Sequence, residues 1–387
     1  MKPLLVFPLA GLGVRFTEQG ITTPKQLLKV DADISCLEKT ILSIKNINDF
    51  NIISYVRDPQ VYEHLESILK KLNTNYHLIK GEGTKSPIET IYRILDSGHS
   101  FIDDEVDVYV HTLDIDVPDN FHLNTDYPIS TYTFKANSTN YSYVEVTGEH
   151  VINIAPQNTV GEFANAGIYG FGKVGLLMSY CIKSLELSNL ISGEIPLVDI
   201  YKLYIADKIK IKAILLSGIY IFGTPSEFSF CKKFIYSKNG LKKCYLFSDH
   251  SGIPTRKKIK EILDNKGFIT EDLGTFDMDN DSDYPDFAIK AHESTIKEHG
   301  YIFSSCSTGQ GVNMILNKFP NTLSALVYSE YAMRMSIEHN CANAFSFPNS
   351  IWEGKSLNFI TKEITNTLFR GGRHQNRLIK LLEYDGK

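Results

Sequence analysis

The stretch Leu4-Leu-Val-Phe-Pro-Leu-Ala-Gly-Leu-Gly-Val-Arg-Phe16 begins as an unbroken apolar run and passes directly into a glycine-rich turn. A short apolar run closed by glycine reads as a strand buried on both faces, the kind found in parallel sheets covered by helices. Outward from it, strand-length runs at 52–56, 76–79 and 106–113 alternate with helix-period segments at 61–72 and 88–95. Further strand signals follow at 129–134, 143–146, 166–171 and 209–216. A polar stretch, 237–243, then precedes a fresh series: strands at 245–247, 268–272, 301–305 and 323–328, with helices at 256–265, 287–298 and 312–318 between them. The alternation predicts an α/β protein of two domains, each a mainly parallel, Rossmann-like sheet flanked by helices. The expected domains are 1–236 and 244–387, joined by a linker at 237–243.

Composition narrows the function. The 387 residues are 43% hydrophobic, 22% charged and 11% aromatic, an ordinary globular mixture. A formal net charge of −5 gives no broadly basic surface, which argues against nucleic acid as a partner. No apolar stretch reaches membrane-spanning length, so no membrane association and a cytoplasmic location are expected. Six scattered cysteines without paired spacing fit neither a zinc site nor a disulfide framework. The segment Asp277-Met-Asp-Asn-Asp281 imitates a calcium loop, but Ser282 and Ala288 replace its required Gly and Glu, leaving an acidic surface loop.

Two constellations carry chemistry. In the first, Leu9, Ala10, Gly11 and Gly13 follow a strand, so the backbone can approach a triphosphate while Arg15 and Lys25 neutralise its charge. Asp114 ends a buried strand, where a hard carboxylate oxygen suits a divalent cation among phosphates; Asp116 is the other candidate. In the second, the strand ending at Cys306 runs into Ser307-Thr-Gly-Gln-Gly311 and a helix. That places a thiol beside N–H groups favouring negative charge, an arrangement suited to removing a proton next to a carbonyl. Arg373 and Arg377 stand four apart and share one helix face, suited to clamping a phosphate.

The first set, with Gly83-Thr84, Asn165-Ala-Gly-Ile-Tyr169, Gly193-Glu194 and Gly223-Thr-Pro225, resembles the sugar nucleotidyltransferases, the nucleoside-diphosphate-sugar pyrophosphorylase family, over about residues 1–235. The resemblance implies Mg²⁺ on Asp114, a nucleoside triphosphate along the loop and at Gly83 and Thr84, and a sugar phosphate near Asn165 and Glu194. Ile221 stands where that family commonly carries a second metal aspartate, and Pro156-Gln157 replaces an acidic-basic pair.

The second set, with Ser248-Asp-His-Ser-Gly252, Asp283-Tyr-Pro-Asp286, Glu338-His-Asn340 and Gly371-Gly-Arg-His-Gln-Asn-Arg377, resembles ribose-5-phosphate isomerase B and related sugar-phosphate isomerases, over about residues 244–380. This resemblance implies no cofactor, Cys306 as the base, and an anion hole at Thr308, Gly309 and Gly311. It also implies Asp249, His250 and His339 in ring opening and oxygen protonation, Tyr284 and Asn340 against the sugar, and Arg373 and Arg377 on the phosphate, which His250 could also contact. Ser307 replaces a usual glycine and Ser324 a usual arginine. Active sites in that family are shared across a dimer, so a homodimer or tetramer through this domain is expected. The leading expectation is a bifunctional enzyme of activated-sugar or polysaccharide-precursor synthesis. Its competitor is an isomerase carrying a nucleotide-sensing or scaffolding first domain.

Overall fold

The computed structural model describes residues 1–31, 33–98, 102–117, 121–156, 158–188, 196–236 and 241–384. The chain divides into two compact units, Met1–Ser229 and Phe230–Lys387.

The first unit holds strands β1 (Leu4–Leu9), β2 (Asn51–Val56), β3 (Asn75–Lys80), β4 (Asp107–His111), β5 (Ile115–Asp116), β6 (Ile129–Lys135), β7 (Tyr143–Thr147), β8 (His150–Ile154), β9 (Phe163–Lys173), β10 (Ile211–Leu215) and β11 (Tyr220–Ile221). Nine of them form one sheet in the order β3-β2-β1-β4-β9-β6-β10-β8-β7. Its β3-β2-β1-β4 part is parallel, as the apolar β1 run requires. Beyond β4 most pairings are antiparallel, with β9 joined to β4, β6 and β7. Leu5, Phe7 and Leu9 enter one buried cluster, while Leu4 and Val6 enter another. Successive side chains of β1 therefore fill cores on opposite faces of the sheet.

The second unit holds β12 (Lys243–Ser248), β13 (Ile269–Asp272), β14 (Tyr301–Cys306), β15 (Ser324–Leu326) and β16 (Ala344–Pro348). They form an all-parallel sheet in the order β13-β12-β14-β16-β15. From β12 the chain passes outward to β13, then crosses back to β14 on the other side. The carboxyl ends of β12 and β14 thus flank the point where strand order reverses, the crevice in which open α/β sheets bind ligands.

Residues 230–236 belong with the second unit, so the expected boundary moves to 229/230. The cause is packing: Phe230 lies against Phe369 with ring centroids 5.8 Å apart, Gln375 Nε2 donates to Cys231 Sγ at 3.4 Å, and Cys341 Sγ donates to the Phe234 carbonyl at 3.4 Å. Of the expected linker, residues 237–240 lie outside the described residues. Among the described residues no helix is long and apolar enough to cross a membrane.

Candidate functional sites

In the second unit the crevice is built by close backbone approach. Asp249 follows β12 and caps the turn at His250–Gly252, its Oδ1 accepting from Ser251 Oγ at 2.7 Å and Gly252 N at 3.1 Å. A Cβ on Gly252 would sit 2.3 Å from the Ser305 carbonyl oxygen, so only glycine lets this turn lie against the end of β14. Asp249 and Cys306 thereby end neighbouring paired strands, and both are buried. After Cys306, Gly309 adopts φ +70° to start the helix Gln310–Leu316, a left-handed conformation that favours glycine. A Cβ on Gly311 would meet the Tyr284 ring at 2.5 Å, which brings Tyr284 to the same loop. Thr308 is exposed and its Oγ1 accepts from Gln310 N at 3.3 Å. Asp249, His250, Cys306, Thr308, Gly309, Gly311 and Tyr284 therefore gather at the carboxyl edge.

His339, Asn340, Arg373 and Arg377 do not join them. The helix Glu330–Asn340 returns from β15 to β16, so its last residues stand just ahead of Ala344, where β16 begins. Cys306 pairs with Pro348 at the other end of β16. Four residues at about 3.3 Å each separate the two edges by roughly 13 Å. The His339 and His374 rings stack with centroids 4.3 Å apart, and Arg370 pairs with Glu338 at 2.6 Å, which fixes the start of the helix Arg373–Tyr384 at this second location. Arg373 and Arg377 are exposed on that helix.

His374 lies inside the Gly371–Arg377 motif, between the two arginines. Burial first, then the charges of His339, Arg373, Arg377 and Arg370, push it down to about 4. In the first unit His111 is fully buried on β4, and burial pushes it down to about 3. Both histidines bind a proton more readily unfolded, so stability should fall as pH drops from about 6.5 toward 4. Thermal melts at pH 7 and pH 4.5 check this: His111→Asn, which keeps an acceptor for Leu113 N but cannot titrate, should narrow the parent's loss of Tm.

In the first unit the glycine loop, residues 11–15, is exposed. Gly13 needs its left-handed φ of +67°, whereas a Cβ on Gly11 would meet nothing within 4 Å. Leu9 and Ala10 are buried at the end of β1. Thr84 N donates to the Ala10 carbonyl at 3.3 Å, and Gly83 packs against Leu12 and Arg57, so the two expected nucleotide segments lie together. Arg15 is exposed; Lys25 pairs with Asp114. Burial pushes Lys25 down to about 8, opposed by Cys36 and Glu227 and assisted by Arg15.

Ile221 lies beside Asp114, since it pairs with Ile115 and Phe222 N donates to the Asp114 carbonyl at 3.0 Å, but its side chain is buried in the apolar core. Asn165 is spent internally: Nδ2 donates to Thr131 Oγ1 at 2.5 Å and Oδ1 accepts from Gly167 N at 2.7 Å. Glu194 and Gln157 lie outside the described residues. Sequence reasoning missed Glu227, a buried carboxylate whose Oε2 accepts from Thr224 N at 2.8 Å and whose Oε1 accepts from Tyr141 OH at 2.5 Å. The spacing Thr224-Pro-Ser-Glu227 is a capping-box signature and was the available signal.

The ribose/galactose isomerase family pattern matches residues 244–381. "Probable ribose-5-phosphate isomerase B" of Mycoplasma genitalium is 34% identical over 145 residues, covering 36% of this chain and 94% of that relative. This chain belongs to the ribose-5-phosphate isomerase B family. "Ribose-5-phosphate isomerase B" of Mycolicibacterium paratuberculosis is 29% identical over 147 residues, covering 37% of this chain and 91% of that relative. The isomerase B domain is thus the second unit. A nucleoside-diphosphate-sugar pyrophosphorylase from Vibrio cholerae superimposes with a TM-score of 0.52 at 19% identity, over 59% of this chain and 99% of that one. The first unit shares that fold.

Proposed function

We propose that the protein is a bifunctional enzyme that isomerises an aldose and a ketose phosphate in its second domain and transfers a nucleotide to a phosphorylated sugar or polyol in its first. The observation that carries the isomerase half is the placement of Cys306 at the switch point, beside Asp249 and the loop of Thr308, Gly309 and Gly311. Cys306 takes a proton from the carbon next to the carbonyl, and the loop N–H groups stabilise the enediolate. Asp249 accepts the proton of the anomeric hydroxyl when the sugar ring opens.

The missing groups come from a second copy. His339, Asn340, Arg373 and Arg377 sit at the far edge of their own sheet, so a complete site pairs one protomer's Cys306 with its partner's arginines. Burial, and after it the charges of His339, Arg373, Arg377 and Arg370, hold His374 down, so basic groups collect at that edge. Two exposed guanidinium groups one helical turn apart fit a phosphate dianion. Assembly as a homodimer or a higher even-numbered oligomer follows from this division of the site.

For the first domain the support is Gly11. Nothing lies within 4 Å of a Cβ built on Gly11, so its backbone stands open to an approaching ligand. A triphosphate suits that loop, with Lys25 and Arg15 beside it. The donor set fits Mg²⁺ in its usual manner, one or two carboxylates with the rest of the shell from water and phosphates. Asp114 would hold it, and the bound ion would offset charge on the reacting phosphates. With these substrates the enzyme would serve activated-sugar or polysaccharide-precursor synthesis.

The test incubates the protein with each nucleoside triphosphate, Mg²⁺ and a panel of sugar and polyol phosphates, measuring pyrophosphate release and, separately, aldose–ketose conversion. Asp114→Ala should lower pyrophosphate release at least tenfold and leave conversion unchanged. Triphosphate binding without pyrophosphate release from any acceptor would replace the transferase half with a sensing domain.

A further inference from the structure

Asp114 leaves β4 on a strained turn. Leu113, the residue before it, adopts φ +60°, a left-handed conformation uncommon for a bulky side chain, and that side chain is buried in the core. Non-glycine residues are held in this region at a cost, and such outliers cluster at working sites. The turn is tied at each step. The Thr112 N–H donates to the Gly167 carbonyl at 2.9 Å, the Asp114 carbonyl accepts from Phe222 N at 3.0 Å, and the Ile115 carbonyl accepts from Thr40 Oγ1 at 2.9 Å. The Leu113 N–H donates to a side chain of its own strand, His111 Nδ1, at 3.0 Å.

His111 is a costly occupant of its place. The ring is wholly buried, and burial keeps it neutral. Because Nδ1 accepts, the ring's hydrogen sits on Nε2, which has no hydrogen-bond partner among the described residues. A buried N–H left unpaired costs stability that an apolar side chain of similar size would not. The bond made by Nδ1 is what the imidazole supplies in return. It lands on the residue whose backbone is strained, immediately ahead of the carboxylate that pairs with Lys25.

We infer that His111 is a positioning residue for Asp114: its Nδ1 holds the Leu113 amide, and with it the left-handed turn that presents the Asp114 carboxylate to a divalent cation. The inference rests on the transferase reading above and adds to it a buried support three residues from the metal ligand. His111 acts only through the turn. Groups that orient a metal ligand in this way carry roughly ten- to a hundredfold of the site's metal affinity.

Two measurements test this. The first titrates Mn²⁺ alone into the full chain and follows loss of the free ion's electron paramagnetic resonance signal; Asp114→Asn identifies the binding that belongs to the site. His111→Asn places an amide oxygen where Nδ1 stands and should keep that affinity within about threefold. His111→Gln, whose amide reaches the Nε2 position instead, and His111→Leu should weaken it roughly ten- to a hundredfold. The second is hydrogen exchange without metal: the Leu113 amide should be protected in the parent and the Asn variant and should exchange faster in the Gln and Leu variants, each shown to be folded by its melting transition. Gln and Leu variants that bind Mn²⁺ as the parent does, an Asn variant as weak as the Gln variant, or a Leu113 amide exchanging as fast in the parent as in the Gln variant would overturn the assignment. Mn²⁺ binding that survives Asp114→Asn unchanged would instead sink the metal half of the transferase reading, and the failures separate because amide exchange is read without metal.

Discussion

Cys306→Ala should slow aldose–ketose conversion by roughly two to four orders of magnitude, the contribution of a well-placed general base. Its melting behaviour should change little, because the thiol is small and lies at the end of β14, beside the loop, rather than deep among the larger residues of its cluster. Pyrophosphate release should be unchanged, since Asp114, Lys25 and the glycine loop belong to the separate first unit. The measurement is a coupled assay of both reactions on one preparation. Conversion within a factor of a few of the parent would remove Cys306 from the chemistry and leave Asp249 as the remaining candidate base at that edge.

Much of this arrangement was legible in the chain. The apolar run of β1 and the run ending at Cys306 could be placed as buried parallel strands because a strand covered on both faces has no polar alternation to hide it. The loops after them were legible because glycine at 13 and 309 answers a positive φ that other residues adopt at a cost. What escaped were properties of three-dimensional juxtaposition. Ser282 grips His250 from 32 residues away, and nothing in its local pattern announces a partner. Asn165 matched a motif, yet its amide is consumed by Thr131 and Gly167 across β9, which only strand pairing reveals. The polar stretch 237–243 reads as a domain boundary. The preceding Phe230, Cys231 and Phe234 instead packed forward, because large buried side chains follow available core and not the nearest polar stretch.

The separation of Cys306 from the arginines makes a further result expected. A protein carrying Cys306→Ala lacks the base in every site, and one carrying both Arg373→Ala and Arg377→Ala lacks the phosphate clamp in every site. Each charge-assisted contact is worth about 1.5–3 kcal/mol, so the double arginine variant should lose roughly a hundredfold or more in kcat/KM. If both halves came from one chain, mixing the two inactive proteins would give nothing. Where they come from different chains, subunit exchange assembles mixed dimers in which both defects fall in one site and the other site is intact. Equal amounts reassorting at random give half mixed dimers, each with one working site of two, so activity should recover to about a quarter of the parent's. The check is to mix the purified variants under conditions that permit subunit exchange, confirm exchange with distinguishable tags, and assay conversion at subsaturating substrate. Recovery well above either variant alone fits only a site divided between copies. Exchange without recovery would require His339, Asn340 and both arginines to reach Cys306 within one chain, against the four-residue span of β16 that holds them apart.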